Sequence, residues 1–179
     1  SDYALRANPM KFDKNCIGLI MRINITLSTQ TLTLLNDAGQ NIAQYTISSG
    51  AAGIGQQMGS YKTPLGKHRI AEKIGADLPV NAVMVGRRWT GEVYHDALGQ
   101  AVPDRDWILT RILWLEGLEP GFNQGGEVDT KNRYVYIHGT PDSTRLGMPG
   151  SKGCIRMRND DLLALFEAVT VGTPVDIIE

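Results

Sequence analysis

Along the first third of the chain, apolar and polar residues alternate one by one. Met21, Ile23, Ile25 and Leu27 are separated by Arg22, Asn24 and Thr26, the period of two that marks a strand with one buried face. The pattern continues through residues 31–35, pauses at the turn cluster Asn36-Asp37-Ala38-Gly39 and resumes with Ala43, Tyr45 and Ile47, which predicts an opening hairpin. Further strands are predicted over 67–74, 82–85, 108–115 and 133–137, the last running straight into His138. The period changes once. Leu162, Leu165, Phe166 and Val169 fall at i, i+3, i+4 and i+7, one apolar face of a helix. Asn159 is the expected N-cap, with Asp160 and Asp161 in the first turn where the helix dipole favours them. Gly172 and Pro174 stop the helix, and residues 174–178 read as a closing strand. The prediction is a mostly β domain with one packed helix. Residues 75–106 have weak periodicity and many Gly, Pro and charged positions; they read as an insertion over the sheet, a lid.

Bulk properties narrow the function classes. A chain of 179 residues suits one domain with an adequate core. Its 18 basic and 19 acidic side chains give a formal charge of -1, so no basic footprint for nucleic acid is present. Apolar runs are only a few residues long, which predicts no membrane span. Ser1-Asp2-Tyr3-Ala4 has neither the charged region nor the apolar core of a secretory signal. That leaves a cytosolic protein or a mature, trimmed one. The two cysteines, Cys16 and Cys154, do not make a disulfide framework, and whether they pair stays open. No two His or Cys have the short spacing of a zinc site, so neither metal nor cofactor is expected.

The chemistry concentrates in Ile137-His138-Gly139-Thr140 and Gly147-Met148-Pro149-Gly150-Ser151-Lys152-Gly153-Cys154-Ile155-Arg156-Met157. A strand ends in a histidine, a glycine-rich loop presents a cysteine, and a helix starts soon after. Thiol chemistry needs a nucleophile, an imidazole to take its proton, and N–H groups for the developing oxyanion. An imidazole partner can lower a cysteine pKa from about 8.5 to well below neutrality. Taken singly, each residue has a plainer explanation. A lone Cys is usually a small buried hydrophobe, a strand-end His usually an ordinary hydrogen-bonded residue, and the glycines simple turn formers. Their order and spacing together outweigh those explanations.

The stretch from His138 to Met157 resembles the signature of the L,D-transpeptidase catalytic domain, also called the YkuD domain. In that family a His-Gly-Thr element precedes a Ser-His-Gly-Cys-Ile/Val-Arg element. The N-terminal half agrees: Ser49-Gly50, then Lys62-Thr63-Pro64-Leu65-Gly66-Lys67-His68-Arg69-Ile70, is similar to the family's glycine turn followed by Thr-Pro-x-Gly-x-[Phe/His]. The resemblance covers roughly residues 20 to 178, least well over 75–106. It implies an N-terminal segment (1–16), a catalytic domain (17–179) and a mixed-sheet β-sandwich with one packed helix and an inserted lid.

Carried over position by position, the resemblance makes Cys154 the nucleophile, His138 its base and the Gly139 carbonyl the group that orients His138. The N–H groups of Gly153 and Cys154 would form the oxyanion hole. Arg156 would hold the loop or meet a substrate carboxylate, and Ser151, Lys152 and Thr140 would line the substrate site. Lys152 departs from the family, where many members carry a second His. It can donate a hydrogen bond but cannot act as an imidazole base, which bears on substrate preference and pH optimum. His68 is expected to pack rather than catalyse, and His95 to be an exposed loop residue. Trp89, Trp107 and Trp114 are expected in core or lid packing, with Trp89 also placed to stack on a glycan.

The implied reaction is attack on the amide between residues 3 and 4 of a peptidoglycan tetrapeptide stem, then transfer to an amine. A second stem, a protein lysine or a D-amino acid would serve as acceptor, and the thiol would be acylated by carbapenems. The implied setting is the bacterial cell envelope, and the implied state a monomer. Rival readings are an L,D-carboxypeptidase using water, a non-catalytic wall-binding module of the same fold, and a cytosolic thiol hydrolase.

Overall fold

A computed structural model describes residues 20–179. Segment 1–16, and with it the question of a Cys16–Cys154 pair, lies outside the described residues. The chain runs β1 (Met21–Thr26), β2 (Thr31–Asn36), β3 (Asn41–Ser48), β4 (Gly66–Ile74), β5 (Ala82–Val85), β6 (Arg88–Val93), α1 (Asp96–Ala101), β7 (Ile108–Gly117), β8 (Tyr136–Gly139), β9 (Ile155–Met157), α2 (Asn159–Ala168) and β10 (Pro174–Ile178). The strand predicted over 133–137 begins instead at Tyr136, because Tyr134 has a φ of 57°, outside any extended conformation. It continues through His138 to Gly139.

Strands β4, β10, β1, β2, β3, β9, β8 and β7 are hydrogen-bonded in that order, and β7 also pairs with β4. The fold is mostly β with a mixed sheet, since β1–β10 and β8–β9 are parallel while the other pairs are antiparallel. The expected sandwich takes the form of one sheet curled until its ends meet, from His68 opposite Gly117 to Ile74 opposite Ile112. Alternation decides which face turns inward. Ile23, Ile25, Leu32, Leu34, Leu113, Leu115, Ile137, Ile155, Val175 and Ile177 share one apolar core, each contributing roughly 1.5–3 kcal/mol by leaving water. Helix α2 adds Leu162, Leu165 and Phe166 to that core and packs on β7 and β8. Lys73 of β4 caps its C-terminal end, donating to the Phe166 and Val169 carbonyls at 2.6 and 2.7 Å, the end where a cation is favoured.

The helix start differs from the expectation. Arg158 occupies the N-cap position without a side-chain cap bond. Asn159 is the first helical residue and is buried, its carboxamide drawn into a polar network beside β8. Segment 75–106 is also more regular than its sequence suggested. β5 and β6 form a hairpin on the β7 edge, joined by Gly86-Arg87 with φ of 56° and 64°, the values of a type I′ turn. A second, short helix follows. His95 is exposed and caps it, accepting from Leu98 N–H at 3.4 Å. Trp107 is buried with Val83 and Leu109, whereas Trp89 is largely exposed.

His68 is a packed residue, 1% exposed, with its ring nitrogens bonded to Gly66 O and Thr130 Oγ1, both at 2.9 Å. Burial pulls its pKa down to about 4, against opposing contributions from the Gly66 carbonyl, Glu119 and Asp176. Between pH 6.5 and about 4 the unfolded chain therefore binds a proton that the folded chain refuses. Stability contributed by this group is present above pH 6.5 and lost as pH falls toward 4, an effect of about 3 kcal/mol. Urea unfolding across that window should show a shallower pH dependence in His68→Gln than in the wild type. Equal slopes would remove His68 from the acid lability.

Candidate active site

The site lies on the outer face of the sheet, opposite the core. Ile137 and Ile155 are partners in the parallel β8–β9 ladder and both point inward. Their neighbours Tyr136 and His138, and Cys154 and Arg156, therefore point outward together. His138 sits between Ile112 of β7 and Arg156 of β9, with Cys154 diagonal to it one step toward the start of the strands. The His138 Nδ1 lies 2.6 Å from the Gly139 carbonyl. A carbonyl accepts only, so Nδ1 carries the proton and Nε2 keeps its lone pair.

The cysteine loop is zipped onto the segment that follows β3. Gly150 and Ser151 N–H groups donate to Ser49 O at 2.8 and 2.9 Å, and Ala51 N–H donates to Ser151 O at 2.8 Å. Thr63, from the Thr-Pro turn, accepts from Gly50 N–H at 2.8 Å and donates to Gly153 O at 3.0 Å. Gly153 has a φ of +112°, and a Cβ there would stand 3.0 Å from the Lys62 carbonyl; only glycine suits the position. Ser151 is buried, accepting from Gly153 N–H at 3.1 Å and donating to Cys154 O at 2.5 Å. Arg156 donates to Gly150 O at 2.9 Å and approaches Asp106 at 3.4 Å, while its buried Nε has no partner among the described residues.

The thiol sits in a main-chain cradle. Tyr136 N–H donates to Sγ at 3.3 Å, and Sγ–H donates to Tyr134 O at 3.4 Å. The left-handed conformation of Tyr134 turns that carbonyl toward the sulfur. Cys154 is half-buried and borders a cavity of about 120 Å³ with Tyr61, Arg133, Tyr134 and Lys152. On the insertion side it packs with Met84, Ile112 and Tyr136. Burial pushes the thiol up to about 12; the Tyr136 N–H opposes this, Asp106 adds to it, and Arg156 and Arg133 oppose it. Burial also holds His138 below its ordinary 6.5, against the Gly139 carbonyl and Asp106, with Arg156 acting in the same sense as burial. Burial thus favours the neutral form of both groups. An imidazole partner can lower a cysteine pKa, but here desolvation outweighs the cations around the thiol.

The model of the YkuD family, the L,D-transpeptidase catalytic domain, matches residues 21–177. The chain belongs to this family. Probable L,D-transpeptidase YbiS of Escherichia coli K12 is 28% identical over 165 residues, which cover 82% of this chain and 50% of that protein. Probable L,D-transpeptidase ErfK/SrfK of Salmonella typhimurium is 51% identical over 47 residues, 26% of this chain and 15% of that one. The chain thus spans half or less of these relatives. Among solved structures, L,D-transpeptidase 3 of Mycobacterium tuberculosis with a faropenem-derived adduct shares the fold at 18% identity and a TM-score of 0.55, covering 90% of this chain and 61% of that one. A cysteine-to-serine variant of the Enterococcus faecium L,D-transpeptidase does so at 18% identity and 0.53, covering 88% and 49%.

In this L,D-transpeptidase domain the positions singled out from the sequence divide by location. Cys154, His138, Gly139 and Arg156 converge. Lys152 is exposed at the cavity. Ser151 and Thr140 were expected to line the substrate site, but both are buried, and Thr140 Oγ1 donates to Thr144 Oγ1 at 2.9 Å. They brace loops instead. Of the expected oxyanion donors, Gly153 N–H is already bonded to Ser151 Oγ. Sequence reasoning missed a buried network behind His138. Thr110 Oγ1 donates to Asn159 Oδ1 at 2.7 Å, and Asn159 Nδ2 donates to Asn81 Oδ1 and Thr140 O at 2.9 and 3.2 Å. A Cβ at Gly139 would collide with Asn159 Oδ1 and stand 2.6 Å from Leu109 O, so this network and a side-chain-free residue 139 fit only together. Thr110 has a φ of 75°, an outlier for a β-branched residue that no local motif announces.

Proposed function

We propose that the domain is a peptidoglycan L,D-transpeptidase acting through a neutral Cys154–His138 pair. The observation that carries this is the single outward face holding the Cys154 thiol, at a cavity, and a His138 whose Nδ1 is committed to the Gly139 carbonyl. Nε2 is then the basic nitrogen. The thiol proton passes to Nε2 as sulfur bonds to the carbonyl carbon between residues 3 and 4 of a tetrapeptide stem. Bonding the proton only as the sulfur attacks suits a thiol held high and an imidazole held low. The Cys154 N–H is the main-chain donor we assign to the resulting oxyanion. Collapse of the intermediate breaks the C–N bond, and His138 returns its proton to the departing D-amino acid. An incoming amine then attacks the thioester, His138 takes its proton, and the thiol is released. Such a substrate places the enzyme on the wall side of the cell envelope.

Intact-mass and product analysis with a purified tetrapeptide stem tests this, with and without a D-amino acid acceptor. Loss of the terminal residue and appearance of an exchanged stem are expected, as is a covalent adduct on Cys154 after exposure to a carbapenem. Loss without exchange would point to an L,D-carboxypeptidase. No change, with Cys154 reduced and no adduct formed, would leave a wall-binding module.

A further inference from the structure

We propose that Arg87, from the turn of the β5–β6 hairpin, is a positioning residue that fixes the main-chain cradle of the Cys154 thiol. The cradle consists of the Tyr134 carbonyl and the Tyr136 N–H, and Arg87 grips the side chains of both residues. Its guanidinium lies 4.8 Å from the Tyr134 ring centroid and 4.7 Å from that of Trp114, and its Nη1 donates to the Tyr136 hydroxyl at 3.0 Å. Trp114 completes the cluster. It is the cross-strand partner of Tyr136 on β7, meeting that ring edge-on and the Tyr134 ring at a tilt, both with centroids 5.9 Å apart.

Two features say that the side chain, rather than the turn, is what this position serves. Glycine is the ordinary occupant of the second place in a type I′ turn, yet an arginine stands there at a φ of 64°. Tyr134 is likewise left-handed, a conformation that persists only when its surroundings impose it. A planar guanidinium can stack on two rings and donate in its plane at once, whereas a lysine can hold only one of these contacts. The hairpin thereby reaches the sulfur through one residue, without touching the reacting atoms itself. Charged and titratable groups around the thiol are Arg133, Asp106 and Arg156, Tyr136 itself, and Tyr61 and Lys152 across the cavity; of these, Arg87 bonds to Tyr136.

The kinetic consequence rests on the reading of Cys154 as nucleophile, whereas the cradle can be read without a substrate. Arg87→Ala should slow single-turnover acylation by the tetrapeptide stem by about tenfold or more, the scale of a small misplacement, with KM changed less than about twofold. It should also displace the pH profile of Cys154 alkylation by iodoacetamide, and Arg87→Lys should restore neither fully. Tyr136→Phe, which removes only the hydroxyl, should move both readouts in the same direction by less, and carries the test if Arg87→Ala fails to fold. Wild-type acylation and an unchanged alkylation profile in the folded variants would overturn the proposal. A displaced profile in a protein that does not turn over the stem would uphold the cradle and reject the transpeptidase reading instead.

Discussion

Cys154→Ala is expected to abolish stem turnover, lowering it by about 10⁴-fold or more, as removal of an attacking nucleophile does in other covalent mechanisms. No thioester and no carbapenem adduct should appear by intact mass. The fold should survive. The side chain is half-buried at the edge of a small apolar cluster, and its loss leaves the Tyr136 N–H without its sulfur acceptor and the Tyr134 carbonyl without its thiol donor. A cost of about 1 kcal/mol is the ordinary scale for such a change, visible as a few degrees in Tm. Turnover within tenfold of wild type would end the nucleophile assignment, and a collapsed Tm would make the result a folding effect.

His138→Ala should slow acylation by about 10²–10⁴-fold, the usual worth of a general base. The pH dependence is the sharper readout. Burial holds the imidazole below 6.5, so wild-type kcat/KM should be flat through neutrality and fall only on the acid side of that value. In His138→Ala the acid limb should vanish, and the residual rate should climb with pH toward ionisation of a thiol held near 12. The same acid limb in wild type and variant would take His138 out of the base role.

The sheet was readable because its period is strict. Residues 21–27 alternate without a fault and 31–34 continue the alternation, and the structure pairs the two strands from Met21 opposite Asn36 to Thr26 opposite Thr31. What alternation cannot say is whether the ends of a sheet meet; β4 pairs with β7 across more than thirty residues of intervening chain, and only tertiary packing decides that. The β5–β6 hairpin was half visible, since Ala82–Val85 is apolar but β6 is an exposed, glycine-containing edge.

The candidate site was legible to the extent that its residues are adjacent in sequence. His138 with Gly139, and the loop from Gly147 to Arg156, each announce a local geometry. Residues that act at long range announced nothing. Asn159 has the composition of a cap and sits where a cap belongs, yet two buried partners compete for its carboxamide more strongly than a helix N-terminus that water can serve. Tyr134 and Tyr136 look like ordinary strand aromatics, and their importance lies in main-chain atoms whose direction depends on one left-handed φ. The direction of the cysteine shift could not be read from the sequence for a related reason. Charged neighbours can be guessed from sequence, whereas the extent of desolvation cannot.

The closed ring also governs when the site can come into being. β10, at residues Pro174–Ile178, lies between β1 and β4, so among the described residues the last strand is inserted beside the first. Parallel pairing across that separation is slow to form, because the loop entropy is lost before the contacts accrue. Until it forms, β4 lacks one neighbour, and the Thr63 turn that leads into β4 has no fixed base from which to hold the cysteine loop. A form of the domain without β10 would still carry the thiol, but on a loop whose Thr63 anchor has lost the support of its own strand.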